Sequence, residues 1–327
     1  MGLWLIGTDT LAHSRFVISP LAETTAAFLA LEWGIPYHPG ERPWFAEHLP
    51  AYRARLAADP LTARTLRAAI GATWLADFLT PTPDPEGRQT FEEELDRIRG
   101  YPPELARAEL AVSLGGPLPP ELERDDLAER IANTLHWVWT HTVRPDWDRR
   151  RRILEADISA RTAQLGRGGW SAALDGLRPG MRWLGDGRLR INAHANPPRQ
   201  LDATRLLFVP VTPKSGWVAW RADGSCHALV YSCSGALAEA GRSRVPQALG
   251  ALLGPSRARV LVLLDTPKST SQLVALTGQG LGSVGRHLRI LLDAGLAVRS
   301  RSGRSVLYFR SAAGEVLLKA ASQRTEA

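Results

Sequence analysis

Residues 280–310 read GLGSVGRHLRILLDAGLAVRSRSGRSVLYFR, and this stretch predicts a helix followed by a β-hairpin. Large apolar residues recur with the helical period at positions 284, 288, 291 and 292, so one face of the helix is predicted to be buried. Gly295, just beyond the last turn, is a signal for the end of a helix. The alternating, β-branched segments after it predict two strands that are joined by a turn at Ser302 and Gly303.

Polar side chains lie outside this apolar stripe and around the predicted turn. The candidates on the helix are Ser283, Arg286, His287 and Arg289. The candidates on the hairpin are Arg299, Arg301 and Arg304. Because a DNA major groove about 12 Å wide admits one α-helix, the polar helix face is suited to base edges. The hairpin arginines are suited to the phosphate backbone or the minor groove.

A second short helix is predicted directly upstream. Ser269 and Gln272 have the spacing of a capping box, in which a hydroxyl and an amide satisfy backbone N–H groups at the helix start. Thr277 and Gly278 then provide a tight turn before the next helix, which completes a helix-turn-helix. Ser271 and Gln272, at the start of the first helix, are further candidates for contacts with DNA.

Residues 246–320 resemble the winged helix of the ArsR-type bacterial transcription regulators, and residues 283–310 resemble their recognition helix and wing almost position by position. The resemblance implies a homodimeric repressor that binds an inverted-repeat operator in double-stranded DNA. It also implies that residues 245–253 and 316–321 lie at the dimer interface. The family usually carries a serine where this chain has Gly285, so one hydroxyl is missing here. The alternatives are a winged helix that contacts only other proteins and one that has lost DNA binding.

The distribution of charge agrees with a DNA-binding C-terminal part. Residues 246–327 contain 11 Lys and Arg against 4 Asp and Glu, whereas residues 1–245 contain 29 of each kind. The positive excess therefore lies entirely in the predicted winged helix, as an electrostatic footprint on DNA requires. Since lysine is rare in this chain, a single arginine is weak evidence, and a helix face shared by several is better evidence.

The domain organisation is predicted to be α+β. Residues 1–180 form a mainly helical N-terminal domain, residues 181–240 form a small β-sheet region, and residues 246–322 form the C-terminal winged helix-turn-helix domain. The N-terminal segments also resemble the uncharacterised domain that precedes the winged helix in a subset of actinobacterial-type regulators. This second resemblance implies an architecture and no particular ligand.

Three local patterns in the N-terminal part give specific expectations. Ser19 and Pro20 begin a helix that continues to about Glu32. Residues 61–79 predict another helix. Residues 149–152 are four arginines, and a solvated helix face that pairs with nearby acids is favoured over a nucleic-acid site.

No metal, cofactor or catalytic site is predicted. The first helix of the helix-turn-helix has no thiol, imidazole or carboxylate, and the last helix offers only Glu315, so the usual metal site of the resembling family is not expected. Cys226 and Cys233 are seven residues apart on one predicted strand and are interpreted as small buried side chains. No P-loop, nucleophile elbow or spaced acid pair is found, so enzyme activity is not expected.

Eleven tryptophans, all within residues 1–220, leave two interpretations open. They fill an ordinary core, or some of them line a pocket for a flat organic molecule. The pocket would make the N-terminal domain a receptor for an aromatic or apolar ligand. A catalytic N-terminal domain fused to a DNA reader is a third hypothesis. The first residues lack the pattern of a signal peptide or membrane span, so a cytoplasmic location without a membrane partner is expected.

Overall fold

A computed structural model describes residues 2–36, 41–71, 74–174, 177–192, 197–233, 245–264, 268–302 and 305–323. Helices and small sheets within these ranges confirm the α+β class. The chain forms two compact units. The N-terminal unit comprises Met1–Tyr37, Glu41–Trp147 and Leu174–Cys233, and the C-terminal unit comprises His38–Gly40, Asp148–Ala173 and Ser234–Ala327.

The helices of the N-terminal unit surround one apolar core. They are α1 Thr8–Ala12, α2 Pro20–Trp33, α3 Arg42–Ala58, α4 Pro60–Ala69, α5 Phe91–Arg99, α6 Pro103–Leu114 and α7 Leu127–Val138. After a π-helical turn, α8 extends over Trp147–Leu174, of which Asp148–Ala173 belongs to the C-terminal unit, and it is interrupted by non-helical backbone at Gly168 and Gly169. Arg150 in α8 is buried, so the predicted interpretation of the four arginines as one solvated face is wrong for this residue.

Two four-stranded sheets complete this unit, with strand orders β3-β4-β1-β5 and β2-β6-β8-β7. The strands are β1 Leu3–Ile6, β2 Arg15–Phe16, β3 Arg182–Gly185, β4 Arg188–Arg190, β5 Arg199–Leu201, β6 Arg205–Val211, β7 Val218–Trp220 and β8 Cys226–Ser232. β6 and β8 run parallel and are buried over almost their whole length, which explains their continuous apolar composition. Cys226 and Cys233 are both buried, as predicted.

Helix α2 begins where the sequence predicts, and a buried carboxyl group from α5 accepts hydrogen bonds at its start. Ser19 Oγ accepts a hydrogen bond of 2.9 Å from the Ala22 N–H, and Gly34 ends the helix with φ of 64°. Glu94 Oε2 accepts hydrogen bonds of 2.9 Å from the Ser19 hydroxyl and from the Leu21 N–H. Burial raises the pKa of Glu94 to about 7.

The single helix predicted for residues 61–79 is wrong. Helix α4 ends at Ala69, and a short 3-10 helix follows at Asp77–Leu79. A Cβ atom at Gly71 would lie 2.1 Å from the carbonyl oxygen of Ser113, which ends up beside this segment only in the folded chain. Any side chain at Gly71 would clash with this oxygen, so the position directly after α4 requires glycine. Packing against a segment distant in sequence, rather than local helix propensity, therefore sets the end of α4.

The C-terminal unit contains the predicted winged helix-turn-helix. Its elements are α9 Gln247–Leu253, α10 Pro255–Leu263, β9 Lys268–Ser269, α11 Thr270–Thr277, α12 Leu281–Asp293, β10 Ala297–Ser302, β11 Ser305–Arg310 and α13 Ala312–Gln323. The strands form one antiparallel sheet in the order β10-β11-β9. Ser302 pairs with Ser305 and still belongs to β10, whereas Gly303 of the predicted turn lies outside the described residues.

Candidate nucleic-acid interface

The two helices α11 and α12 are joined as the sequence predicts. The Ser269 hydroxyl accepts a hydrogen bond from the Gln272 N–H, and the Gln272 side chain accepts one from the Ser269 N–H, so the capping box is present. Gly278 ends α11 in the left-handed conformation, with φ of 69°. The chain then enters α12 through Gly280, which occupies the N-cap position. No side chain of the described residues caps the backbone N–H groups at this helix start.

Helix α12 separates an apolar face from a basic face. Val284, Leu288 and Leu291 are buried in the core of the winged helix, which confirms the predicted stripe. Arg286 and Arg289, three residues apart on the other side, are exposed. Neither arginine makes a hydrogen bond or an ion pair with the described part of the chain. Both guanidinium groups therefore remain available to an external acceptor.

Ser283 and His287 occupy the flank of α12 and are half-buried. The Ser283 hydroxyl lies 3.5 Å from His287 Nε2, while His287 Nδ1 is buried without a hydrogen-bond partner among the described residues. Burial, followed by the charges of Arg257 and Arg286, lowers the pKa of His287. A neutral imidazole with one nitrogen turned inward is less suited to phosphate than the two exposed arginines are.

The candidates on α11 are partly committed to the helix itself. Gln272 is half-buried, and its side-chain oxygen closes the capping box, which leaves only its amide N–H groups for an external acceptor. Ser271 occupies the first turn of α11, and its side chain is outside what the structure describes.

The hairpin β10–β11 carries the remaining predicted arginines. Arg299 pairs with Tyr308 in the ladder and is exposed, and it forms no ion pair within the described residues. Arg301 lies on β10, but its side chain is outside the described part, and Arg304 lies outside the described residues altogether. Of the three hairpin candidates, the structure thus places the side chain of Arg299 alone.

Two other arginines of the C-terminal unit have structural partners. Arg310 contacts Glu315 at 2.9 Å and donates to the Val262 carbonyl oxygen at 3.2 Å, which ties β11 to α13 and α10. Arg259 donates to the Leu276 carbonyl oxygen at 3.3 Å and so ties α10 to the end of α11. Their partners distinguish these arginines from the exposed ones, and composition alone gives no signal for the difference.

Gly285 lies on the exposed side of α12. A Cβ atom there would have open space around it, with no heavy atom within 4 Å. A serine would therefore fit at this position without disturbing the core. The glycine lowers the helical propensity of α12 by roughly 0.5–1 kcal/mol relative to alanine.

No group of three or more His, Cys, Asp or Glu side chains in the described ranges is arranged to hold a metal ion. No helix in the part of the chain that the structure describes is long and apolar enough to cross a membrane.

The three-stranded sheet, the capped helix-turn-helix and the basic face of α12 define a winged helix-turn-helix unit of the DNA-binding class. Residues 254–298 match the model of a family described as bacterial regulatory protein, arsR family. The match spans α10, α11, α12 and the start of β10, and it indicates a DNA-binding transcription regulator. Comparisons with curated proteins and with solved structures gave no match. The resemblance noted for the N-terminal domain stays a prediction.

Proposed function

We propose that the protein is a sequence-specific, DNA-binding transcriptional repressor that acts as a homodimer in the cytoplasm. In this proposal α12 enters the major groove, and the β10–β11 wing lies along the phosphate backbone. The observation that carries the proposal is a pair of exposed arginines, Arg286 and Arg289, on the face of α12 opposite its buried stripe, neither of which has a partner among the described residues. Bidentate contacts from arginine to guanine are the commonest specific contacts in the major groove. The proposal includes no catalytic step and no metal.

The charge of the chain supports DNA as the partner. The C-terminal residues 246–327 carry the whole positive excess of the protein, and residues 1–245 are neutral overall. The uncapped start of α12 adds backbone N–H groups and the positive end of a helix dipole, which favour a phosphate. Arg299 on the wing supplies a further exposed cation.

Binding to a duplex tests this proposal directly. The full chain should protect an inverted repeat upstream of its own gene, with half-sites about 34–36 Å apart, in a footprinting experiment. In fluorescence anisotropy, the logarithm of the association constant should fall linearly with the logarithm of the salt concentration. Failure to bind any duplex even at low ionic strength would refute the proposal. Equal affinity for the repeat and for a scrambled duplex would refute its sequence-specific part.

The dimer is supported by an apolar surface on the terminal helices of the winged unit. Helices α9 and α13 contact one another, and Leu252 on α9 and Val316 on α13 are each 67% exposed. Isolated exposed apolar residues are ordinary, but these two lie on helices that contact one another, and in this proposal a second copy covers both. An isologous interface of this kind places two recognition helices about a two-fold axis, which matches an inverted repeat.

Replacing Leu252 and Val316 together by glutamate is expected to convert the dimer to a monomer, because a buried, unpaired carboxylate opposes association. Size-exclusion chromatography with light scattering measures the mass of the native and the variant protein. The matched control is Leu105→Glu, which alters an exposed leucine of the N-terminal unit and should leave the dimer intact. A native protein that is monomeric at micromolar concentration, or a double variant that stays dimeric, would contradict this interface.

A further inference from the structure

A cavity of about 690 Å³ opens in the N-terminal unit. Its wall is formed by α2, by the segment that follows α4, by Arg178 and by the residues that lead into β7. The volume lies within the range of about 300–1,000 Å³ that is usual for sites of small organic ligands. The lining combines aromatic rings with two charged side chains.

The aromatic part of the cavity consists of four tryptophans, namely Trp33, Trp74, Trp217 and Trp220. Trp217 also belongs to the apolar core, whereas Trp33 is 42% exposed and Trp74 and Trp220 are half-buried. The rings of Trp74 and Trp220 meet edge to face, with their centroids 5.2 Å apart. The Arg199 guanidinium lies 3.9 Å from the centroid of the Trp220 ring and fixes its orientation. Arg199 covers one face of Trp220, and the remaining exposed surface of the Trp74 and Trp220 rings is open to a planar ligand.

The basic part of the cavity is Arg178. Its Nη2 donates to the Gly216 carbonyl oxygen at 3.1 Å, but Nη1 is buried and has no hydrogen-bond partner among the described residues. Burial lowers the pKa of Arg178, and no described acid opposes this effect. A desolvated guanidinium with no counter-ion among the described residues is costly, and an anion bound beside it in the cavity would remove much of that cost.

The acidic side chain of the wall is Asp77. Burial, followed by the nearby Glu109 carboxylate, raises the pKa of Asp77 to about 6, while Arg199 opposes this rise. The carboxyl group can accept a hydrogen bond from an N–H or O–H of a ligand, and when ionised it repels each anionic group that the ligand carries. A ligand with a single anionic group fits this wall better than a dianion does.

We propose that this cavity binds a planar aromatic carboxylate, with its ring against Trp74 and Trp220 and its carboxylate on Arg178. The aromatic rings provide the apolar contact, and the Arg178 guanidinium in the wall provides the positive charge that attracts the carboxylate. The binding itself depends only on the cavity. Its meaning as the signal that a DNA-binding regulator detects rests on the function proposed above.

Calorimetric titration of the full chain in the absence of DNA tests the site. The probes are 2-naphthoate and indole-3-acetate, and the matched neutral probes are 2-naphthamide and indole-3-acetamide. Both carboxylates should bind, and each amide should bind at least tenfold more weakly, because it lacks the charge that Arg178 attracts. No binding of either carboxylate at millimolar concentration, or equal affinity for acid and amide, would overturn the proposal.

Variants of the wall separate the site from nonspecific binding. Arg178→Met should weaken the carboxylates at least tenfold, whereas Arg178→Lys should restore part of the affinity. Arg182→Met, which removes an exposed arginine of β3, is the control and should bind like the native protein. If Arg178→Met does not fold, Trp74→Leu decides, since it removes a half-buried ring: a tenfold loss supports the site, and unchanged affinity overturns it.

The two proposals fail in distinguishable ways. A protein that binds the aromatic carboxylates but no duplex would retain this site and lose the proposed function. A protein that binds its operator but neither carboxylate would remain a DNA-binding regulator and lose this site. Adding a bound probe to the duplex titration then shows whether the ligand changes the affinity for DNA, as a regulatory signal must.

Discussion

Replacing Arg286 and Arg289 together by alanine is expected to lower the affinity for the operator by at least about 30-fold. Each bidentate contact from an arginine to a base contributes roughly 1–3 kcal/mol of discrimination, so two contacts correspond to about 2–6 kcal/mol. Both side chains are exposed and have no partner in the described residues, so the stability of the winged helix should change by no more than about 0.5 kcal/mol. The loss is therefore a loss of recognition and not of folding.

The measurement compares the operator with a scrambled duplex of equal length by fluorescence anisotropy at several salt concentrations. The matched control is the double variant Arg64→Ala and Arg188→Ala, which removes the same two charges from the N-terminal unit. It should bind both duplexes almost as the native protein does. Thermal unfolding followed by circular dichroism confirms that each variant is folded. If the α12 variant loses the same affinity for both duplexes, its arginines bind phosphates and the proposed base contacts are wrong.

Arg299 provides an internal comparison, because the wing is proposed to bind the phosphate backbone. Arg299→Ala should weaken the operator and the scrambled duplex alike. It should also reduce the slope of log K against log salt by about 0.9 for the one phosphate contact that is lost. A change in sequence preference without a change in slope would assign Arg299 to a base and not to the backbone.

Much of the C-terminal unit could be predicted because its signals are local. The capping box at Ser269 and Gln272, the glycine turn and the apolar period of α12 each act within a few residues. The hairpin followed from alternation in the sequence and a short connection. The helical period also indicated Arg286 and Arg289 as outward-facing, whereas the partners of Arg310 and Arg259 could not be predicted, since only folding brings them together.

Less of the N-terminal unit could be predicted because its pairings are distant in sequence. Strand β1 lies between β4 and β5, whose residues are more than 180 positions away, and no local pattern indicates such partners. The sequence left open whether the tryptophans fill the core or line a pocket. The structure contains buried tryptophans and tryptophans that line a cavity. Trp4 and Trp217 are buried and Trp217 belongs to the apolar core, whereas Trp33 and Trp74 border the cavity with exposed or half-buried rings. No sequence pattern indicated Arg178, because its importance comes from burial without a counter-ion among the described residues.

Replacing Glu94 by glutamine is expected to stabilise the N-terminal unit at pH 8 by up to about 3 kcal/mol and to have little effect at pH 4. Burial raises the pKa of Glu94 from 4.5 to about 7, so the folded state holds the proton more tightly than the unfolded state. The stabilising contribution is fully present below about pH 4.5 and is lost as the pH rises through 7. A difference of about 2.5 pKa units corresponds to roughly 3 kcal/mol.

Glutamine suits this test because of how Glu94 is bound. Both hydrogen bonds, from the Ser19 hydroxyl and the Leu21 N–H, go to the same oxygen, Oε2. A glutamine carbonyl oxygen in that position accepts both bonds without a charge, so the start of α2 keeps its acceptor. Glu94→Ala removes the acceptor as well and should destabilise by about 1–3 kcal/mol across the whole pH range.

Urea unfolding followed by tryptophan fluorescence between pH 4 and pH 8 measures this effect, and the winged helix does not contribute because it contains no tryptophan. Glu92→Gln on the same helix removes the same charge from an exposed side chain and should leave the pH dependence within about 0.5 kcal/mol of the native protein. A Glu94→Gln variant that is as pH-dependent as the native protein would mean that the carboxylate is not desolvated. One that is less stable at pH 8 would mean that the two donors and the nearby Arg97 outweigh burial and favour the charged form.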